Sequence, residues 1–203
     1  MLAPAEGIEN YFAIRPEGPF HSIPSTVQCN ECHKGSGDKI LGFESLQLSH
    51  DRDPLGLHSS PSSTTILELL EKGILLNYKM QTPPRIHSSS DVGRASMGYL
   101  HGNCGHCHNP EGSANFTGLE FKHLSQSENE NEEVAYRTSV NQRTTQFLIE
   151  NEDPTYRVVP GNAEKSAIYY RLKTGTMPSL NHSLIDVDAV AQLREWIESI
   201  TTH

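Results

Sequence analysis

Apolar positions recur at helical spacing in several separate stretches of this chain, most regularly in the last. There Val190, Leu193, Ile197 and Ile200 fall on one face, Asp186 stands at the N-cap position, and Ile185 and Val190 are placed as a hydrophobic staple. The pattern predicts a terminal helix. Before it, Ile168, Tyr169 and Leu172 follow Asn162, placed to cap a helix, and precede Gly175, placed to stop one. Further up, Thr65-x-x-Glu68 has the form of a capping box, Ile66, Leu67, Leu69 and Leu70 supply an apolar face, and Gly73 ends the segment. A fourth helix is predicted from Asp91 to Asn103, capped by Ser90 or Asp91. Its Gly93, Ala95 and Gly98 are poor helix formers and imply that another helix comes close. Trp196 of the terminal helix is expected to pack against the small face around Ala95 and Gly98. A short helix is expected from Glu132 to Val140.

Between these stretches the chain is broken by prolines and small polar residues. Pro4, Pro16, Pro19 and Pro24 exclude a long helix over residues 1–28, which reads as an extended arm. Residues 49–63 read as a loop, and 74–90 as a boundary between a first domain, 1–88, and a second, 89–203. Residues 113–160 carry an acidic, Asn-rich run at 128–133 that reads as solvated surface.

Composition sharpens this picture. Two domains drawn from 203 residues with 35% hydrophobic content and a mean hydropathy of -0.52 are each short of core unless something else fills their centres. The formal net charge of -9 excludes nucleic acid and anionic membrane as partners, since both select a basic face. No apolar run approaches the ~18 to 20 residues that span a bilayer, so no membrane insertion is expected.

All four cysteines fall in two copies of one pattern, Cys29-Asn-Glu-Cys32-His33 and Cys104-Gly-His-Cys107-His108. In Cys-x-x-Cys-His the thiols are spaced to add across the two vinyl groups of one porphyrin, and the adjacent imidazole then ligates the iron. Disulfide, zinc and redox-dithiol readings of four cysteines are weaker, because the repeated spacing uses every thiol and leaves no second pair to close a zinc site. The pattern therefore implies two haem c groups, each with its iron, covalently held by Cys29 and Cys32 and by Cys104 and Cys107, with His33 and His108 as proximal ligands. For the second iron, Met177, in the Met-Pro turn between the last two helices, is the expected distal ligand. A thioether favours reduced iron and a comparatively high potential. For the first, Met80 repeats the order helix, turn, methionine, while His50 and His58 are alternatives that would give a bis-histidine site. His106 is an interior position of its motif. His21, His87, His101, His123, His182 and His203 sit among polar residues and are expected on the surface.

With these residues the chain resembles class I cytochrome c domains twice over, and is similar to the cytochrome domains attached to bacterial secreted dehydrogenases. Residues 91–203 carry the fuller set of parts, including Arg157-Val-Val-Pro-Gly-Asn-Ala-Glu-Lys-Ser-Ala-Ile-Tyr-Tyr-Arg-Leu172. Ile23-Pro-Ser-Thr-Val-Gln-Cys-Asn-Glu-Cys-His33 looks like the opening of a reduced, loop-rich first domain, without a helix before its motif and leaning on the second domain for burial. The resemblance implies an all-α fold of two cytochrome c-like domains, in which the first and last helices of the second domain cross.

The function expected is electron transfer through two close haems, between a dehydrogenase or cytochrome donor and a downstream acceptor. The chain would be a carrier rather than a catalyst, and its acidic surface would steer towards a basic docking face on the redox partner. A dihaem peroxidase or haem-based sensor, with an open site at the first haem, is the alternative. Residues 1–6 lack the form of a secretory signal, yet haem attachment to this motif takes place outside the cytoplasm. A periplasmic or extracellular location is therefore expected, with a signal or preceding module removed.

Overall fold

The computed structural model describes residues 8–13, 20–37, 39–56, 64–79, 82–123, 127–180 and 184–201. Helices carry the fold: α1 (Thr26–His33), α2 (Ile66–Glu71), α3 (Asp91–Cys104), α4 (Val134–Ser139), α5 (Ala167–Lys173) and α6 (Val187–Ser199). Within the arm, Ile8–Ala13 (β1) and Phe20–Ile23 (β2) pair as an antiparallel hairpin, with Ile8 opposite Ile23, Ala13 opposite Phe20 and an irregularity between Ile8 and Phe12. Prolines that forbid a helix do not forbid strands, and Ile, Tyr and Phe at these positions favour them.

Side chains set most helix starts where the pattern puts them. Ser90 Oγ accepts from Gly93 N at 3.1 Å, and Asp186 Oδ1 accepts from Ala189 N at 3.0 Å. Thr65 caps α2 by accepting from Glu68 N at 3.3 Å, but the Glu68 carboxylate turns to Lys72 Nζ at 2.6 Å. That box is half closed. Asn162 departs from expectation: its Oδ1 accepts from Lys165 N at 3.1 Å and caps a turn, while α5 begins later, after Ser166. The Ser166 hydroxyl is already engaged, accepting from Val159 N and donating to Asn162 O, both at 2.8 Å. These bonds hold the approach to α5 in a non-helical bend. Gly73 and Gly175, each with φ of 65°, end α2 and α5 as expected, because a left-handed residue there favours glycine.

The core lies where α6 crosses α3. Met97 and Leu100 of α3 bury against Leu193, Trp196 and Ile197 of α6, and Phe121, Val158 and Tyr169 belong to the same cluster. The indole of Trp196 does not lie on the face around Gly98. A Cβ on Gly98 would meet nothing within 4 Å, whereas one on Gly93 would lie 2.9 Å from Trp196 Cδ1 and would also collide with Ser88 Oγ. The close approach is one turn nearer the start of α3 than expected, since the register of the crossing depends on both helices.

The first half is thin. Among the described residues before the expected boundary segment, Leu46, Ile66 and Leu69 are its buried apolar side chains, and Leu46 belongs to the same cluster as Met97 and Trp196. Ile86, which precedes residue 89, belongs to it too. Arg94 of α3, 10% exposed, reaches into the first half to Asp51 Oδ2 at 2.8 Å and to the Asp51 carbonyl at 3.3 Å.

Gly93→Ala should lower the unfolding free energy by roughly 1–3 kcal/mol in a denaturant titration, the usual penalty for overpacking. Gly98→Ala, placed in open space on the same helix, should instead raise it by about 0.5–1 kcal/mol.

Candidate functional site

The two Cys-x-x-Cys-His motifs, far apart in sequence, meet in space. Cys32 Sγ and Cys107 Sγ are 3.9 Å apart, and Cys107 Sγ also lies 3.6 Å from the Glu31 carbonyl. Ser113 Oγ donates to that same carbonyl at 3.1 Å. Two glycines permit the contact. A Cβ on Gly35 would fall on the His106 carbonyl and 2.8 Å from Asn109 Nδ2, and one on Gly112 would fall on the Cys107 carbonyl.

The first motif occupies α1 itself. Ser25 and Gln28 form a closed capping box, with bonds of 3.2 and 2.9 Å, so the motif rides on a short helix rather than at the end of an unstructured arm. His33 Nδ1 meets the Lys39 carbonyl at 2.7 Å. Because a carbonyl only accepts, the proton sits on Nδ1 and Nε2 keeps its lone pair for a metal. Val27, Ile40, Phe43, Ile74 and Leu76 are all more than half exposed on this half of the chain.

The second motif ends α3. His108 N and Cys107 N both return to the Cys104 carbonyl, at 2.9 and 3.1 Å. Buried Asn109 then holds the loop, its Nδ2 donating to the Gly105 carbonyl at 2.7 Å and the His106 carbonyl at 3.0 Å. His108 is buried edge-on against Phe121, with ring centroids 5.5 Å apart. Burial pushes its imidazole below the ordinary value. The Leu119 carbonyl acts the other way without completing a bond to Nδ1, which is buried and unpartnered, and the cations of Arg171 and Arg157 add to the lowering. A neutral imidazole is the form that ligates.

Met177 lies half-buried in a turn clamped by Arg171. The Arg171 carbonyl accepts from Met177 N at 3.2 Å and Thr176 N at 2.9 Å, and its guanidinium donates to the Thr176 carbonyl at 3.2 Å while stacking 4.8 Å over Phe147. Since the same guanidinium acts on His108, this turn and the imidazole share one electrostatic neighbourhood. Arg157 donates to the carbonyls of Thr117, Gly118 and Thr138, fixing the segment that leads to Leu119 and Phe121.

These residues fit a covalently attached haem on each motif: free thiols in vinyl spacing, a tautomer-fixed His33, a neutral buried His108 and a held thioether. All four cysteines are free, and among the described residues no three of His, Cys, Asp and Glu converge as a metal cluster. The thiols differ in acidity. Contact with Cys32 lowers Cys107 to about 6 and raises Cys32, and burial pushes Cys104 up to about 12. Of the residues expected at the first iron, Met80 and His58 lie outside the described residues, and His50 is exposed on the turn after Ser49.

A cavity of about 1010 Å³ opens between α3, α6 and the loop over residues 46–55, with Arg52, Arg94, Tyr99 and Glu195 in its wall. Neither the motif residues nor Met177 line it, so it is separate from this chemistry.

Two histidines expected on the surface are buried instead. His101 and His123, 5% and 3% exposed, pack edge to face with centroids 5.9 Å apart. His123 N donates to His101 Nδ1 at 3.1 Å, which leaves the His101 proton on Nε2, 3.2 Å from Glu44 Oε2. His123 Nδ1 lies 2.5 Å from Oε2 of the fully buried Glu133. The signal for His101 was the helical register, since it shares the core face with Met97, Leu100 and Cys104. Nothing local marks His123.

Comparison with protein-family models, curated proteins and solved structures finds no match to this chain. Among the described residues no helix is long and apolar enough to cross a membrane.

Burial, followed by the nearby His123, lowers His101 to about 4 from 6.5. Between those values the unfolded chain binds the extra proton and the folded chain does not, so stability rises with pH across that window. Acidification from pH 7 to pH 4 should therefore remove up to about 3 kcal/mol through His101 alone. Denaturant titrations at several pH values check this, and the His101→Gln variant should show a correspondingly flatter profile.

Proposed function

We propose that this chain is a dihaem electron-transfer protein built of two cytochrome c-like units, the first reduced and loop-rich. It passes electrons between a dehydrogenase or cytochrome donor with a basic docking face and a downstream acceptor, in the periplasm or outside the cell. The observation that carries the reading is the 3.9 Å separation of Cys32 and Cys107 sulfurs. Each sulfur is one carbon removed from the porphyrin it would hold, so the edges of two attached macrocycles can be no further apart than that gap plus a few bonds.

Haem c supplies one-electron chemistry at its iron when bound. The rest is done by the chain. Cys29, Cys32, Cys104 and Cys107 fix the two groups, and His33 and His108 present ring nitrogens from a set tautomer and a dry pocket respectively. The Arg171 clamp holds Met177 as a soft ligand that raises the potential of the second centre. The exposed apolar residues Ile40 and Phe43, just beyond the carbonyl that orients His33, suit the face of a flat apolar ring. Met80 remains the proposed distal ligand of the first centre, with His58 and His50 as its rivals.

The purified chain should carry two covalent haems by mass and by absorption, and neither should bind carbon monoxide. Met177→Ala should erase the Met-to-iron near-infrared band of one haem only. Ready carbon monoxide binding by the native protein would replace electron transfer with open-site chemistry of the peroxidase or sensor kind.

A further inference from the structure

Outside the two motifs, the described residues hold one set of buried titratable groups in mutual contact. Glu133 is fully buried at the start of α4, its Oε1 accepting from His87 N at 2.6 Å and its Oε2 facing His123 Nδ1 at 2.5 Å. The other ring nitrogen of His123, Nε2, is buried without a partner. His101 faces the pair from α3. Beyond it Glu44, from the turn after the first motif, is held by His101 Nε2 and by Lys122 Nζ at 3.0 Å.

The pair has two accessible charge states. With one proton between His123 Nδ1 and Glu133 Oε2 it is a buried anion, and with a second proton on the pair it is neutral overall. A lone anion in a water-poor interior is expensive, so a change of one charge nearby shifts this balance strongly. Such a change is close at hand. Phe121, two residues before His123, packs edge-on against His108 and donates its N–H to the His108 carbonyl at 2.8 Å.

We propose that the buried His123–Glu133 pair is the binding site of a redox-linked proton. It takes up one proton from water when the centre on His108 gains an electron, and releases it when that electron leaves. One electron and one proton enter together, so the charge of the buried region is conserved. His101 stays neutral and accepts the His123 N–H throughout, while Glu44 and Lys122 compensate each other at the outer edge. The inference rests on the electron-transfer reading.

The test is a redox titration of the full-length haem-loaded chain at a series of pH values. The potential of the haem on His108 should fall as pH rises, approaching a tenfold change in the reduced-to-oxidised ratio per pH unit, or about 59 mV. His123→Gln and Glu133→Gln should each flatten that slope. If either variant fails to fold, proton uptake by the native chain on reduction, counted with an indicator dye, should approach one per electron delivered to that haem, with the ring nitrogen shifts of His123 moving in step. A potential that does not vary with pH, a slope unchanged in both variants, or His123 signals indifferent to redox state would each overturn the inference while leaving the carrier intact. A chain that acquires no covalent haem would overturn the carrier reading, and this inference with it.

Discussion

The indole of Trp196 lies on bare backbone at Gly93, where any side chain would collide, and that contact decides where the far end of α3 goes. A helix pinned at one end by a close crossing is a rigid lever, because its own hydrogen bonds carry position along its length. The other end is Cys104. The second motif is therefore placed by packing along the helix that leads into it, from Gly93 through Met97 to Leu100. α6 contributes no motif residue, yet Leu193, Trp196 and Ile197 fix the direction from which the thiols and His108 emerge.

The first motif has no such lever. Its helix α1 buries no residue of its own, and its half of the chain offers few apolar side chains to a core. What places it is contact with the second motif: the Glu31 carbonyl receiving Ser113, the backbone at Gly35 pressed on the His106 carbonyl, and sulfur against sulfur. Position thus passes from the α3/α6 packing to the second motif and from there to the first, while Asp51 and Glu44 tie the rest of the first half directly to α3. The same contact that holds a poorly buried half of the chain also brings the two proposed redox centres together. A first half with a larger core of its own could have stood further off.

Sequence alone exposes the parts of this architecture that rest on local chemistry. The thiol spacings are covalent requirements and can be read directly. Ser90, Asp186 and Thr65 announce helix starts because capping is a bond between residues three apart. Asn162 misled because Ser166, a second capping residue, had its hydroxyl claimed by Val159, which only the folded chain reveals. The hairpin escaped because prolines report what is forbidden and leave strand pairing open. The contact between Cys32 and Cys107 and the tie between His87 and Glu133 join residues distant in the chain, and no periodicity encodes such pairs. His101 was legible in part, since its register marks the core face of α3, but its polar neighbours in sequence argued for the surface.

That buried polar set is hard to explain by stability. Ion pairs and neutral polar pairs in an interior seldom outperform apolar side chains of the same volume, because desolvation offsets their attraction. Here the bonds serve position: Glu133 ties α4 to the segment of residues 119–123 through His123 and to the approach of α3 through His87, and His101 ties that segment to α3 and, through Glu44, to the first half. An apolar core holds such elements with some freedom to slide, whereas directional bonds at 2.5 to 3.2 Å do not. Phe121 lies on this tethered segment, so the wall of the His108 pocket is set by the same groups proposed above to exchange a proton. Geometry and charge around His108 would thus share one cause. A substitution there that kept the shape but removed the carboxylate would separate the two, which is what makes Glu133→Gln more informative than any truncation of the pair.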